Sequence, residues 1–199
     1  MERSTDMGRQ LRPAAAGPVA AGLAVLAALL AGCGGPPPAP SGPQTASSVG
    51  PAVVTALPDV PSPQAEMVCL PEAQQDIQDL IGVVPTAVGP IQYANHTSTC
   101  RYAYANGAFT LVVQDLPNDI TTARTYETLA AKLGRVEKID LPDAEAFTTN
   151  DGSIVLRRDT KVMLVDVTQL PGTFGNPPSP RADAARLIMK AVLNCWVGF

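Results

Sequence analysis

Apolar positions recur at helical spacing three times in the second two-thirds of the chain, and between those runs they alternate with polar ones. Ala73, Ile77, Leu80 and Ile81 stand at i, i+4, i+7 and i+8, one face of a helix that Pro71 opens and Gly82 stops. Ile120, Ala123, Tyr126, Ala130 and Leu133 repeat the pattern, with Asn118 as cap and Gly134 as terminator. Beyond Ser179-Pro180, a third helix carries Ala184, Ile188, Ala191 and Cys195 along one side. Ala185, Val192 and Trp196 lie beside them, and Asp183, Arg186, Lys190 and Asn194 form its polar stripe.

The alternating stretches predict strands. Residues 91–94 form a short one that turns through 95–98. Residues 99–105 and 108–114 flank Asn106-Gly107, a strong hairpin signal. A two-residue loop there sets Tyr104 opposite Phe109, Tyr102 opposite Leu111 and Cys100 opposite Val113, all on one buried face. Residues 135–140 are a strand or an extended connection. Residues 145–150 and 153–158 flank Asp151-Gly152, which pairs Phe147 with Leu156 and Glu145 with Arg158. A turn near Asp159-Thr160 leads into 161–168, where Met163 and Val165 join Ile154 and Leu156 on the core face. The element order predicts an α+β domain, an antiparallel sheet with helices packed on it. Two strand-plus-helix halves follow an N-terminal helix.

Ahead of this domain the pattern changes. Arg3, Arg9 and Arg12 precede an apolar stretch at 14–30 that ends in Leu30-Ala31-Gly32-Cys33. Either Met1 or Met7 can serve as the start. A signal peptide has this form, whereas a spanning helix needs about 20 apolar residues and no cleavage site. The last four residues match the lipobox of lipoprotein signals. The expectation is a signal peptide over 1–32 and a lipid-modified Cys33 as the first residue left after cleavage. Its two or three acyl chains (palmitate among them) hold the protein to the outer face of the cell membrane. Residues 33–67 are the lipidated cysteine and a Pro/Ala-rich stretch too poor in apolar surface to fold, a disordered tether. Residues 68–199 are the single extracytoplasmic domain.

Charge narrows the partners. The chain has 14 Lys+Arg and 18 Asp+Glu, net −4. Without residues 1–32 it is net −5, which argues against nucleic acid and against a polybasic membrane contact. Besides Cys33 there are Cys69, Cys100 and Cys195. Export permits disulfides, so one bridge and one leftover thiol are expected, with the pairing open. No C-x-x-C, calcium loop, phosphate loop or G-x-S-x-G occurs, so neither metal nor cofactor is expected. His96, the single histidine, reads as a solvated turn residue. Asp140, Asp143, Glu145 and Asp151 read as a solvated loop plus the Glu145–Arg158 cross-strand pair.

Cys69-Leu70-Pro71 with its helix and Gly82, Thr99-Cys100-Arg101-Tyr102, and the run from Leu141-Pro142-Asp143 to Phe147 resemble actinobacterial cell-envelope lipoproteins of unknown function. Ser153-Ile154-Val155-Leu156, Val162-Met163-Leu164-Val165 and the Ala-rich last helix complete the likeness. The resemblance implies Cys69 and Cys100 as disulfide partners, and Cys195 departs from that two-cysteine pattern. It implies no activity and no catalytic residues. The expected function is therefore a non-enzymatic binding or interaction module of the envelope. The alternative is a carrier of a small apolar ligand or lipid, in a cavity between sheet and helices lined by Tyr102, Tyr104, Phe109 and Leu111. An enzyme comes third, and it requires His96 in a cleft with a carboxylate and a hydroxyl in reach. A filled core with an exposed apolar patch favours the interaction module. The loop at 170–178, with Phe174, is either a lid or a connection, and the apolar end at Trp196, Val197 and Phe199 either packs or docks.

Overall fold

The computed structural model describes residues 56–196, so the expected signal peptide, Cys33, most of the expected tether, and Val197 and Phe199 lie outside the described residues. Its helices are α1 (Pro63–Met67), α2 (Pro71–Ile81), α3 (Asp119–Leu133) and α4 (Arg181–Trp196). Its main strands are β1 (Ala87–Val88), β2 (Gln92–Ala94), β3 (Thr97–Tyr104), β4 (Gly107–Asp115), β5 (Arg135–Leu141), β6 (Ala144–Thr149), β7 (Ile154–Arg158) and β8 (Lys161–Asp166). Two short ones, β9 (Thr173–Phe174) and β10 (Ser179–Pro180), pair with each other.

The fold is α+β, as the pattern predicts. The two halves, however, share one antiparallel sheet ordered β1-β3-β4-β8-β7-β6-β5, with β2 also beside β3. The chain makes the β3–β4 hairpin, crosses by α3, and returns through a four-strand meander whose last strand, β8, pairs with β4. Helices cover both faces. On one, α1, α2 and α4 enclose Tyr102, Phe109, Leu111, Ile154, Leu156 and Met163. On the other, α3 packs Tyr126 and Ala130 over Phe147, Val155 and Val162.

The helix signals hold at the ends of α2 and α3, whereas Ser179-Pro180, ahead of α4, is strand β10 rather than a cap. The Asn118 carboxamide oxygen accepts from the Thr121 N–H at 2.9 Å, and Gly134 follows the last turn of α3. Ile120, placed by sequence in the apolar stripe, is 74% exposed; the buried side runs through Thr122, Tyr126 and Ala130 instead. Gly82 ends α2 at φ +69°, and a Cβ there would stand 2.1 Å from the Asn176 carbonyl oxygen. Both the left-handed turn and the close approach of the 170–178 loop demand glycine.

Both predicted hairpin registers are corrected. In the first, Tyr102 pairs with Phe109 and Cys100 with Leu111, a shift of two residues that preserves the buried face. The loop is Ala105-Asn106, and Gly107 belongs to β4. A Cβ on Gly107 would come within 2.5 Å of the Gln169 carbonyl oxygen, so this glycine serves a close approach rather than a turn. In the second, Phe147 pairs with Val155 and Glu145 with Arg157. The Thr149 N–H donates to the Ser153 carbonyl, and Gly152 at φ +87° completes a three-residue loop of the kind that carries a glycine bulge. That one-residue slip turns Phe147 to the α3 face.

The tether assignment is also corrected at its end, because the folded body begins before residue 68. Within α1, Ala65 and Met67 are buried. Ser62 caps α1 and gives Asp115 two hydrogen bonds, from its hydroxyl at 2.7 Å and its N–H at 3.1 Å. The Tyr93 hydroxyl donates to the Val60 carbonyl at 3.0 Å. Lys161 stands 3.6 Å from the Asp115 carboxylate, and both side chains are largely buried. Asp115→Ala strands these donors, so a loss of about 2 kcal/mol is expected. Hydrogen exchange should show residues 56–67 losing protection ahead of the sheet.

Candidate functional site

Cys69 and Cys100 stand at disulfide distance with Cα atoms 5.5 Å apart, the pairing that the resemblance implies. The bridge ties the segment ahead of α2 to the middle of β3. Cys195 is the free thiol among the described residues. It donates to the Asp76 carboxylate at 3.2 Å; burial, and then that carboxylate, push it up to about 11. A thiol raised in the folded state favours folding fully below the ordinary cysteine range, and that contribution disappears as pH rises from about 9 to about 11. Cys195 should therefore react slowly with disulfide reagents at pH 8 in the native chain and fully after denaturation. Rapid native labelling would contradict this placement.

The four residues proposed to line a cavity are core. Tyr102 and Phe109 stack with ring centroids 4.6 Å apart, and Tyr104 adds to the stack at 5.9 Å from Phe109. Leu111 has no exposed surface. The Tyr102 hydroxyl donates to the Val68 carbonyl at 2.6 Å. Aromatic rings thus fill the space between sheet and helices that a carrier would leave open.

Other singled-out residues find local explanations. Asn95 and His96 both have positive φ, 51° and 57°, and make a two-residue turn between β2 and β3. The His96 Nδ1 lies 3.3 Å from the Tyr93 hydroxyl, beside the strap at residues 56–62. Of the acidic four, Asp140 stands opposite Glu145 across β5 and β6 and Asp143 lines the same cleft as Glu145, but Asp151 is set apart. Asp143 and Asp151 flank opposite ends of β6, about 20 Å apart at strand rise. Glu145 pairs with Arg157 at 3.0 Å, not with Arg158, and Asp140 lies 3.8 Å from Lys138. Burial raises the Asp151 carboxyl, but hydrogen bonds from Thr149 and Ser153 outweigh it and hold the group low. Among the described residues no group of three or more His, Cys, Asp or Glu is placed to hold a metal, and no helix is long and apolar enough to cross a membrane. The loop at 170–178 is a docked connection. Phe174 is buried edge-on to Tyr104 at 4.9 Å, and the Asn176 N–H donates to the Ile81 carbonyl. Trp196 is buried and donates to the Gln64 carbonyl at 3.1 Å.

The sheet's outer edge offers what these residues do not. α4 packs chiefly against α2 and meets the main sheet over β7 and β8, short of the edge strand β5. Alternate residues of β5 face the helix side: Glu137 pairs with Arg186, and Ile139 and Leu141 reach the core only partly covered. Facing them on α4 are Met189 and Leu193, one helical turn apart. Between lies a groove of about 490 Å³, floored by these four and Pro142 and rimmed by Arg158, Arg186 and Lys190. That volume falls in the range of small-molecule pockets. Over its rim, sharing Leu141, Asp143 and Arg158, opens a polar cleft of about 520 Å³ that also takes in Asp119, Glu145, Arg157 and Asp159.

Sequence reasoning missed this groove. A signal was present: Met189 and Leu193 widen the apolar arc of α4 beyond the stripe that contacts the sheet, and Ile139 and Leu141 alternate in an edge strand whose other residues, Val136 apart, are charged. Compared with protein-family models, curated proteins and solved structures, the chain matches none.

Proposed function

We propose that this chain is a cell-envelope lipoprotein of the actinobacterial kind it resembles. In this reading acyl chains on Cys33 hold it to the membrane, and its folded part is a non-enzymatic binding module. The groove between β5 and α4 is the binding surface. The observation that carries the reading is a filled interior beside a large, open, apolar groove at the sheet edge. Ligand surfaces are concave and mostly apolar with a few placed polar groups, and this groove has that composition. In the groove Ile139, Leu141, Met189 and Leu193 are half-buried or buried, and the most exposed large apolar side chains, such as Val84 and Ile120, lie outside it. The lipobox and the basic N-terminal segment support the anchor. A tether of about 20 residues can still reach roughly 60 Å when extended.

Cys33→Ala should move the protein from the membrane to the soluble fraction, and unchanged fractionation would remove the anchor. Native mass spectrometry of the chain purified gently from its own envelope should show bound mass that Leu193→Arg removes. Identical spectra for the two would count against the groove.

A further inference from the structure

We infer that the groove takes a single hydrocarbon chain bearing an anionic head, the chain lying on Ile139, Leu141, Met189 and Leu193 and the head meeting Lys190 and Arg158. This deepens the binding-module reading and rests on it. The shape comes first. From Glu137 to Leu141 the strand advances about 13 Å, and the matching helical stretch from Arg186 to Leu193 about 10 Å. The furrow runs between strand and helix and is lined by flexible aliphatic side chains. It offers no flat aromatic platform for a ring. The ion pair between Arg186 and Glu137, with Asp183 on the same guanidinium, caps one end and satisfies that arginine.

Charge then selects the head. With Arg186 taken up by Glu137 and Asp183, the groove's lining leaves two cations, Lys190 and Arg158, and one carboxylate, Asp143, on a chain whose net charge is −4. Lys190 is exposed and forms no ion pair among the described residues. Among the described residues the Arg158 guanidinium reaches only its neighbour Asp159, at a long 3.9 Å. An anion placed between them gains charge-assisted hydrogen bonds without breaking a short pair. A cationic head would face Lys190 and Arg158 unpaired, and an uncharged head would gain less. The shared chemistry is a carboxylate or phosphate on one acyl chain, so free fatty acids and lysophospholipids are its two sources.

The test uses the full chain and cis-parinaric acid, a fatty acid whose fluorescence rises in an apolar site. Variants and wild type share the same N-terminal segment, so uptake there cancels between them. Saturable uptake is expected, displaced by oleate and by oleoyl lysophosphatidate, whichever is stronger naming the source. Dodecyl maltoside and oleylamine should displace at least about tenfold less well. Leu193→Arg should abolish the saturable component. Exposed Lys190→Glu, which threatens no packing, should weaken it about tenfold at low salt, with the gap closing as salt rises. Uptake unchanged in both variants, or equal displacement by the uncharged and anionic amphiphiles, would overturn the inference. If no probe is taken up while a crosslinker at position 193 still captures a partner, this inference fails and the binding-module reading stands. Failure of both removes that reading as well.

Discussion

Removing the bridge between Cys69 and Cys100 should cost about 3–4 kcal/mol. The two cysteines are 31 residues apart, and closing a loop of that length restricts the unfolded chain by this amount on the chain-entropy account. The double variant Cys69→Ala/Cys100→Ala should unfold in urea at a clearly lower midpoint and melt on the order of 10 °C lower. The loss should be matched by adding reductant to the wild type. The site explains the size of the effect: Cys100 is fully buried in β3, and Cys69 packs against the same core just ahead of α2. Coincident urea midpoints for the oxidised chain and the double variant would show that the pair does not constrain the folded domain.

Phe109→Ala should cost about as much, roughly 3–5 kcal/mol, for a different reason. The ring is 1% exposed and lies between Tyr102 and Tyr104, so truncation removes its burial and leaves a void between two rings. The denaturant midpoint should fall with little change in slope. An aromatic residue lining an open ligand cavity would give a much smaller loss, because its contacts would be to solvent or ligand. This variant therefore separates the filled interior from the carrier cavity that the pattern of Tyr102, Tyr104, Phe109 and Leu111 also allows.

The groove's place at the sheet edge explains how much could be read in advance. Helix ends were legible because their signals are local: Asn118 caps through its own side chain, and Gly82 adopts the left-handed turn its position calls for. The buried face of β3 and β4 was legible because alternation survives a register shift of two residues. Phe147 was not, because the glycine bulge at Gly152 moves the register by one and exchanges the faces of β6. Asn106-Gly107 misled for a reason far away in sequence: Gly107 is small because Gln169 passes over it. Ser62, Tyr93 and Asp115 were silent since their meaning lies in contacts more than 30 residues apart. The groove depends on where α4 crosses the sheet, which is a property of packing. Its apolar residues look in sequence like ordinary core.

Photo-crosslinking in intact cells tests the central claim most directly. A photoreactive side chain at position 193 lies in the groove, and one at Ile120, 74% exposed on α3 across the sheet, serves as comparison. The account predicts a discrete adduct from position 193, a lipid mass or a single protein, and none from position 120. No adduct from 193, or the same adducts from both positions, would contradict the groove as the binding surface.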